Sequence, residues 1–145
     1  MKIVLNFLSV LLLTALIAAP IYVAKNAAKV AGVKSQSKYL LVSQIEKFPN
    51  LKFTQSGDSY TISYTKFGES QAFQDILIIN NPTDQTQTYA INTTSGQAKL
   101  FFGRNLANQQ TEISVPSQIS VPISLFSGSE ASTSAQTVEF TISAH

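Results

Sequence analysis

With 145 residues, ten basic and eight acidic side chains and a formal net charge of +2, the chain has room for one compact domain and no strong charge bias toward nucleic acid. It contains no cysteine, and its single histidine is the terminal His145. Disulfide scaffolds, cysteine nucleophiles and His-based triads are thereby excluded.

The first predicted element is the apolar run Ile3–Val23, IVLNFLSVLLLTALIAAPIYV, which carries no charge. At about 1.5 Å per residue a helix of this run reaches roughly 30 Å, the thickness of a bilayer's hydrocarbon core. Such a segment is expected in lipid or against copies of itself. Removal as a secretory signal fits poorly, because a cut after Ala19 leaves Pro20 directly behind it and a cut after Ala24 has Tyr22 close in front. Only a cut after Ala28 is tolerable.

Residues 24–48, AKNAAKVAGVKSQSKYLLVSQIEKF, extend the helical pattern. They hold no proline, and Ala27, Val30, Ala31, Val33, Leu41, Val42 and Ile45 recur near helical spacing with Lys25, Lys29, Lys34 and Lys38 between them. Pro20 bends this helix, Gly32 weakens it, and Phe48-Pro49-Asn50 stops it. The expectation is a long N-terminal helix over residues 1–48, as a transmembrane or filament-core element. Leu5, Leu8, Leu12 and Leu16 would form its packing ridge. Ser9, Ala15 and Ala19 would let neighbouring backbones approach.

From Leu51 onward the period changes to two. Leu51/Phe53, Tyr60/Ile62/Tyr64, Tyr89/Ile91, Ile113/Val115, Val121/Ile123/Leu125 and Val138/Phe140/Ile142 alternate as half-buried strands do. Turn clusters separate them at Gln55–Asp58, Asn80–Asp84, Thr94–Gln97, Gly103–Asn105 and Ser127–Ser129. Asp75–Asn80 is apolar on both faces and reads as a central strand. Residues 49–145 are therefore expected to form an all-β antiparallel sandwich of seven to eight strands, immunoglobulin-like in topology, with a jelly roll as the alternative. Helix plus sandwich makes the expected class α+β.

Charge divides along the same line. Six lysines against Glu46 give the first 48 residues +5, and four basic against seven acidic residues give the remainder −3. The order of a charge-free helix, an amphipathic continuation and a cysteine-free sandwich rich in Ser, Thr, Gln and Asn resembles the subunits of archaeal type IV pili and archaella. Asn80–Asp84 and Val115–Ile123 resemble strand-edge segments of immunoglobulin-like modules on microbial surfaces. The resemblance implies a homo-oligomeric filament with bundled helices inside and sandwiches outside, held in the membrane before assembly. The chain departs from that family where a basic leader is removed by a peptidase, since only Met1 and Lys2 precede the apolar run.

Lysines following the run would place the sandwich inside the cell by the positive-inside rule, but its hydroxyl- and amide-rich composition reads as exterior. Asn92-Thr93-Thr94 fits the N-glycosylation acceptor pattern, and Pro82 excludes Asn81 from it. No catalytic residue, cofactor or metal set is expected; Asp58, Asp75 and Asp84 read as turn caps. Phe101 and Phe102 beside Arg104 are too little for a nucleic-acid site on an acidic domain. The readings carried forward are a structural subunit of a surface filament, a membrane-anchored sandwich that binds a surface layer or another partner, and a secreted strand-exchange fibre. The Gly103–Gln110 loop with Leu106 is the first contact candidate.

Overall fold

The computed structural model describes residues 37–129 and 134–145, and the α+β expectation does not survive in them. They are all-β: nine strands and a single three-residue 3-10 turn, with no longer helix among the described residues. The strands are β1 Leu40–Ser43, β2 Leu51–Ser56, β3 Ser59–Thr65, β4 Gln71–Asn80, β5 Gln87–Ser95, β6 Lys99–Phe102, β7 Glu112–Val115, β8 Ser120–Ser127 and β9 Ala135–Ala144. No helix among the described residues is long and apolar enough to cross a membrane. The proposed packing residues Leu5, Leu8, Ser9, Leu12, Ala15, Leu16 and Ala19 lie outside the described residues.

The predicted helix is corrected over its last quarter, residues 37–48. The compact unit of the sandwich starts at Ser37 rather than at residue 49. Leu40–Ser43 is a strand, and Ile45–Lys47 makes one tight turn before Pro49. Tyr39 and Val42 suit extended structure, and pairing with β4 gives the backbone of Leu40–Ser43 a ladder that an isolated helical turn lacks. Spacing alone had placed Leu41, Val42 and Ile45 on one helical face.

Two antiparallel sheets result, ordered β1-β4-β8-β6 and β2-β3-β9-β5-β7. In immunoglobulin-constant lettering β1, β4, β8 and β6 take the places of A, B, E and D, and β5 and β9 those of C and F. The place of the last strand G is taken instead by β3, which comes before β4 in the chain. The expected immunoglobulin-like order of seven to eight strands is therefore not the one observed: the described residues hold nine strands, β7 lies beyond β5, and a hairpin, β2–β3, is inserted between the first two strands of the other sheet. Its turn is Gly57-Asp58, with glycine at φ 60, where primed hairpin turns require positive φ.

The core lies between the sheets. Phe73, Leu77, Ile79, Leu100, Ile123 and Leu125 from one side meet Ile62, Tyr89, Ile91, Val138 and Phe140 from the other, all buried. Asn81 is wholly buried as well, and it clamps two turns at one end of the sandwich. Its Nδ2 donates to the carbonyls of Gln85, Val115 and Pro116 at 2.7, 2.9 and 3.1 Å, while its Oδ1 accepts from the Thr83 N–H and hydroxyl.

The outer faces differ in chemistry. The five-stranded sheet presents hydroxyl and amide groups: Ser63 and Thr137 hydroxyls meet at 3.1 Å, and Thr88 and Ser114 at 3.0 Å. The four-stranded sheet presents an apolar row, Val42 beside Ile78 beside Pro122, with Leu40 at its margin.

Candidate interaction edge

A two-layer sandwich has four edge strands, each a row of backbone groups able to pair with another chain. Beside β6 the sheets are stitched together: Phe102 N–H donates to the Gln110 carbonyl and Ile91 N–H to the Thr111 carbonyl, both at 2.8 Å. β7 carries Glu112 and is followed at once by Pro116, and β2 carries the exposed Lys52, charges and a proline of the kind that discourage pairing. β1, Leu-Leu-Val-Ser, has none of these.

Register decides which groups β1 offers. Gln44 N–H donates to the Ile76 carbonyl at 2.9 Å, continuing the pairs Val42↔Ile78 and Leu40↔Asn80. Bonded residues alternate along an antiparallel ladder, so Leu40 and Val42 direct their backbone groups to β4, as Gln44 does its N–H, while the Gln44 carbonyl accepts from Lys47 N–H. Leu41 and Ser43 turn theirs toward the open side. The side chains of Leu40 and Val42 are 51% and 52% exposed on adjacent outward positions. The other large exposed apolar residues, Phe67, Leu106 and Ile119, stand singly on separate loops.

Tyrosines fix the start of this strand. The Tyr89 hydroxyl donates to the Lys38 carbonyl at 2.7 Å, and the Tyr39 and Tyr60 hydroxyls meet at 2.9 Å. Tyr39 packs edge-on to Tyr89, with centroids 6.0 Å apart, and Tyr60 stacks on Phe53 at 5.9 Å. Burial, reinforced by the bond to Tyr60 and by nearby Asp58, pushes the Tyr39 phenol well above its ordinary value. Burial also raises Tyr89. Between β1, the β2–β3 turn and the end of β9 lies an open cleft of about 580 Å³, walled by Lys38, Tyr39, Leu41, Gln55, Asp58 and Tyr60.

A second feature shapes the apolar sheet from within. Phe73 pairs with Leu125 and Leu77 with Ile123, so three residues of β4 face Ser124 alone. Asp75 in this bulge has φ 58, and its N–H donates to Ser124 Oγ, whose hydroxyl donates to the Gly103 carbonyl at 2.6 Å. The Asp75 carboxylate holds Arg104 through Nε at 2.9 and 2.8 Å and Nη2 at 2.6 Å, which raises the guanidinium further above its ordinary value. This pair anchors the start of the β6–β7 loop.

Asn92 sits exposed on β5, on the hydroxyl-rich face, donating weakly to Ser143 Oγ at 3.5 Å. Leu106 is 43% exposed at the predicted loop contact. Asp58, Asp75 and Asp84 are not brought together: they occupy a hairpin turn, a mid-strand bulge and the β4–β5 turn, and the described residues contain no metal-binding group of three. Phe101 and Phe102 are buried rather than displayed beside Arg104. The β1 edge itself was missed, although the run Tyr39–Val42 between Ser37 and Pro49 carried a strand signal. The chain matches no family model, no curated protein and no solved structure.

Proposed function

We propose that this chain is a structural component of a cell-surface assembly, a β-sandwich carried by the apolar stretch Ile3–Val23 and joined to its neighbours through the β1 edge. The observation that carries this reading is the edge itself: four residues without charge or proline, uncovered by any described residue, with two large apolar side chains half exposed. Support comes also from the hydroxyl- and amide-rich outer face, suited to an exterior surface, and from a charge-free run long enough to hold the chain in a bilayer. The resemblance to surface filament subunits points to the same location. In this reading the sandwich supplies the contact between neighbours, since residues 40–43, expected as helix, form an edge strand of the sheet. A second reading, a membrane-held module gripping a different surface protein, is favoured by the tyrosine-walled cleft beside the edge.

The test is labelling of intact cells with a membrane-impermeant amine reagent. Lys52 and Lys99 are exposed on the sandwich and are expected to be modified without lysis. Modification of both only after lysis refutes the reading. Electron microscopy of sheared cells then reads the form of the assembly.

A further inference from the structure

We infer that the neighbour on the β1 edge is a second copy of this chain, paired antiparallel about Val42. The inference rests on the surface-assembly reading and specifies the partner. Leu41 and Ser43 are the residues whose backbone groups face the open side, and they flank Val42 symmetrically. A copy turned end for end therefore sets Leu41 against Ser43 of the other chain and Ser43 against its Leu41, with every outward N–H facing a C=O. Val42 meets its own counterpart across the two-fold axis as a non-bonded pair, at about 4.5 Å between Cα atoms. Two four-stranded sheets become one continuous sheet, and the half-exposed Val42 side chains cover each other.

Charge supports a copy over an unrelated strand. Lys38 lies just before β1 and Glu46 in the 3-10 turn just after it, both exposed; the neighbouring Lys47 is bonded to Gln44 Oε1 of its own chain, and Lys38 makes only a long 3.3 Å bond to the Ala144 carbonyl. End-for-end pairing brings the Lys38 end of each copy to the Glu46 end of the other, whereas parallel pairing sets like charges together. The charged ends of the segment thus favour the antiparallel sense of self-pairing over the parallel one. Such an isologous contact closes on itself, so it yields a paired unit, and any longer fibre needs a second contact elsewhere.

The chain has no cysteine, so Val42→Cys introduces its single thiol. The predicted pair lies within the disulfide range of about 4.4–6.8 Å between Cα atoms. Full-length Val42→Cys in native membranes, treated with a mild oxidant, is expected to give a disulfide homodimer at about five times or more the yield of Lys52→Cys on the opposite sheet. Equal yields, or a product whose mass is that of a heterodimer, overturn the inference. Charge exchange gives a second measurement. Lys38→Glu or Glu46→Lys alone is expected to weaken pairing by about five- to tenfold, through two exposed pairs each, and the double variant to restore it. A double variant as weak as the singles overturns the inference. Failure of the two readings is separable: intact-cell labelling of Lys52 and Lys99 with no Val42→Cys homodimer rejects self-pairing alone, while labelling only after lysis rejects surface placement.

Discussion

Replacing Asn81 tests whether one buried amide holds an end of the sandwich together. Its side chain has no solvent exposure and makes the equivalent of four hydrogen bonds: two N–H groups shared among the Gln85, Val115 and Pro116 carbonyls, and two received from Thr83. At a net of about 0.5–1.5 kcal/mol each, Asn81→Ala is expected to cost about 3 kcal/mol. For a domain of this size that corresponds to a melting temperature lower by roughly 12–20 °C. Asn81→Asp keeps the acceptor for Thr83 but points an oxygen at three carbonyl oxygens, so at neutral pH it is expected to be less stable than the alanine variant. Its carboxyl is held above the ordinary value of about 3.9 in the folded state, so protonation favours folding. The penalty is absent below that ordinary value and grows as pH rises through it. Thermal unfolding of the full-length chain in mild detergent, followed by far-UV circular dichroism, measures both. An alanine variant melting within about 3 °C of wild type, or an aspartate variant more stable than alanine at neutral pH, refutes the clamp.

Alkaline titration probes the tyrosines beneath the β1 edge. The folded Tyr39 phenol is raised above its ordinary value of 10.0, so its stability contribution is complete below that pH and is lost as pH rises beyond it. Tyrosinate absorbance is expected to rise in two stages, the later one coinciding with loss of β-structure. Gly96→Ala tests a close approach: at φ 97 an added Cβ would lie 2.4 Å from the Thr137 carbonyl oxygen and 2.8 Å from the Val138 Cα. It is expected to lower stability by about 2 kcal/mol or more by thermal melting. Asn92→Gln removes the exposed acceptor on β5 and is expected to increase electrophoretic mobility of cell-derived protein with no change in melting temperature. Unchanged mobility there rejects the glycan.

What could be read from the chain depended on whether a residue's neighbours in sequence or in space decided its conformation. Tyr60, Ile62 and Tyr64 alternate with polar residues and are buried in β3, and Val138, Phe140 and Ile142 do the same in β9, because one face of each strand meets the opposite sheet. Gly57-Asp58 and Asn80–Asp84 marked turns through side chains that tolerate or stabilise turn dihedrals. Leu41, Val42 and Ile45 carried no such local decision. Their spacing satisfied a helix and outweighed the weak strand signal of Tyr39 and Val42; the β4 backbone, more than thirty residues further on, selects the strand at Leu41 and Val42, and Ile45 turns away in the 3-10 turn that follows. The bulge at Asp75 was equally hidden. An aspartate preceding an apolar run resembles a turn cap, and its positive φ is sustained by Ser124 of β8 and Arg104 of the β6–β7 loop, both distant in sequence.

The same long-range dependence explains why the candidate edge lies where it does. Inserting β2–β3 ahead of β4 gives the five-stranded sheet a hairpin in the place where an immunoglobulin domain puts its last strand. That leaves β1 as a short outer strand of the apolar sheet, with β2 as the corresponding edge of the other. The opposite flank is closed by the Phe102–Gln110 and Ile91–Thr111 bonds, so among the described residues one flank is sealed and the other open. Tyr39 and Tyr89 hold the open strand at its start, and Gln44 holds it at its end. An edge strand anchored at both ends is preorganised, so pairing with it orders little that is not already ordered. Four residues of ladder are a modest contact in free solution, but on the proposed surface-assembly reading copies held in one membrane by their apolar runs would meet at high effective concentration. Pairing should therefore depend on the apolar run as much as on the edge. A Leu12→Lys chain, with a charge placed in that run, is expected to lose the Val42→Cys cross-link at the same total amount of protein. Persistence of the cross-link in that background would show that the edge suffices alone and that membrane confinement contributes nothing to pairing.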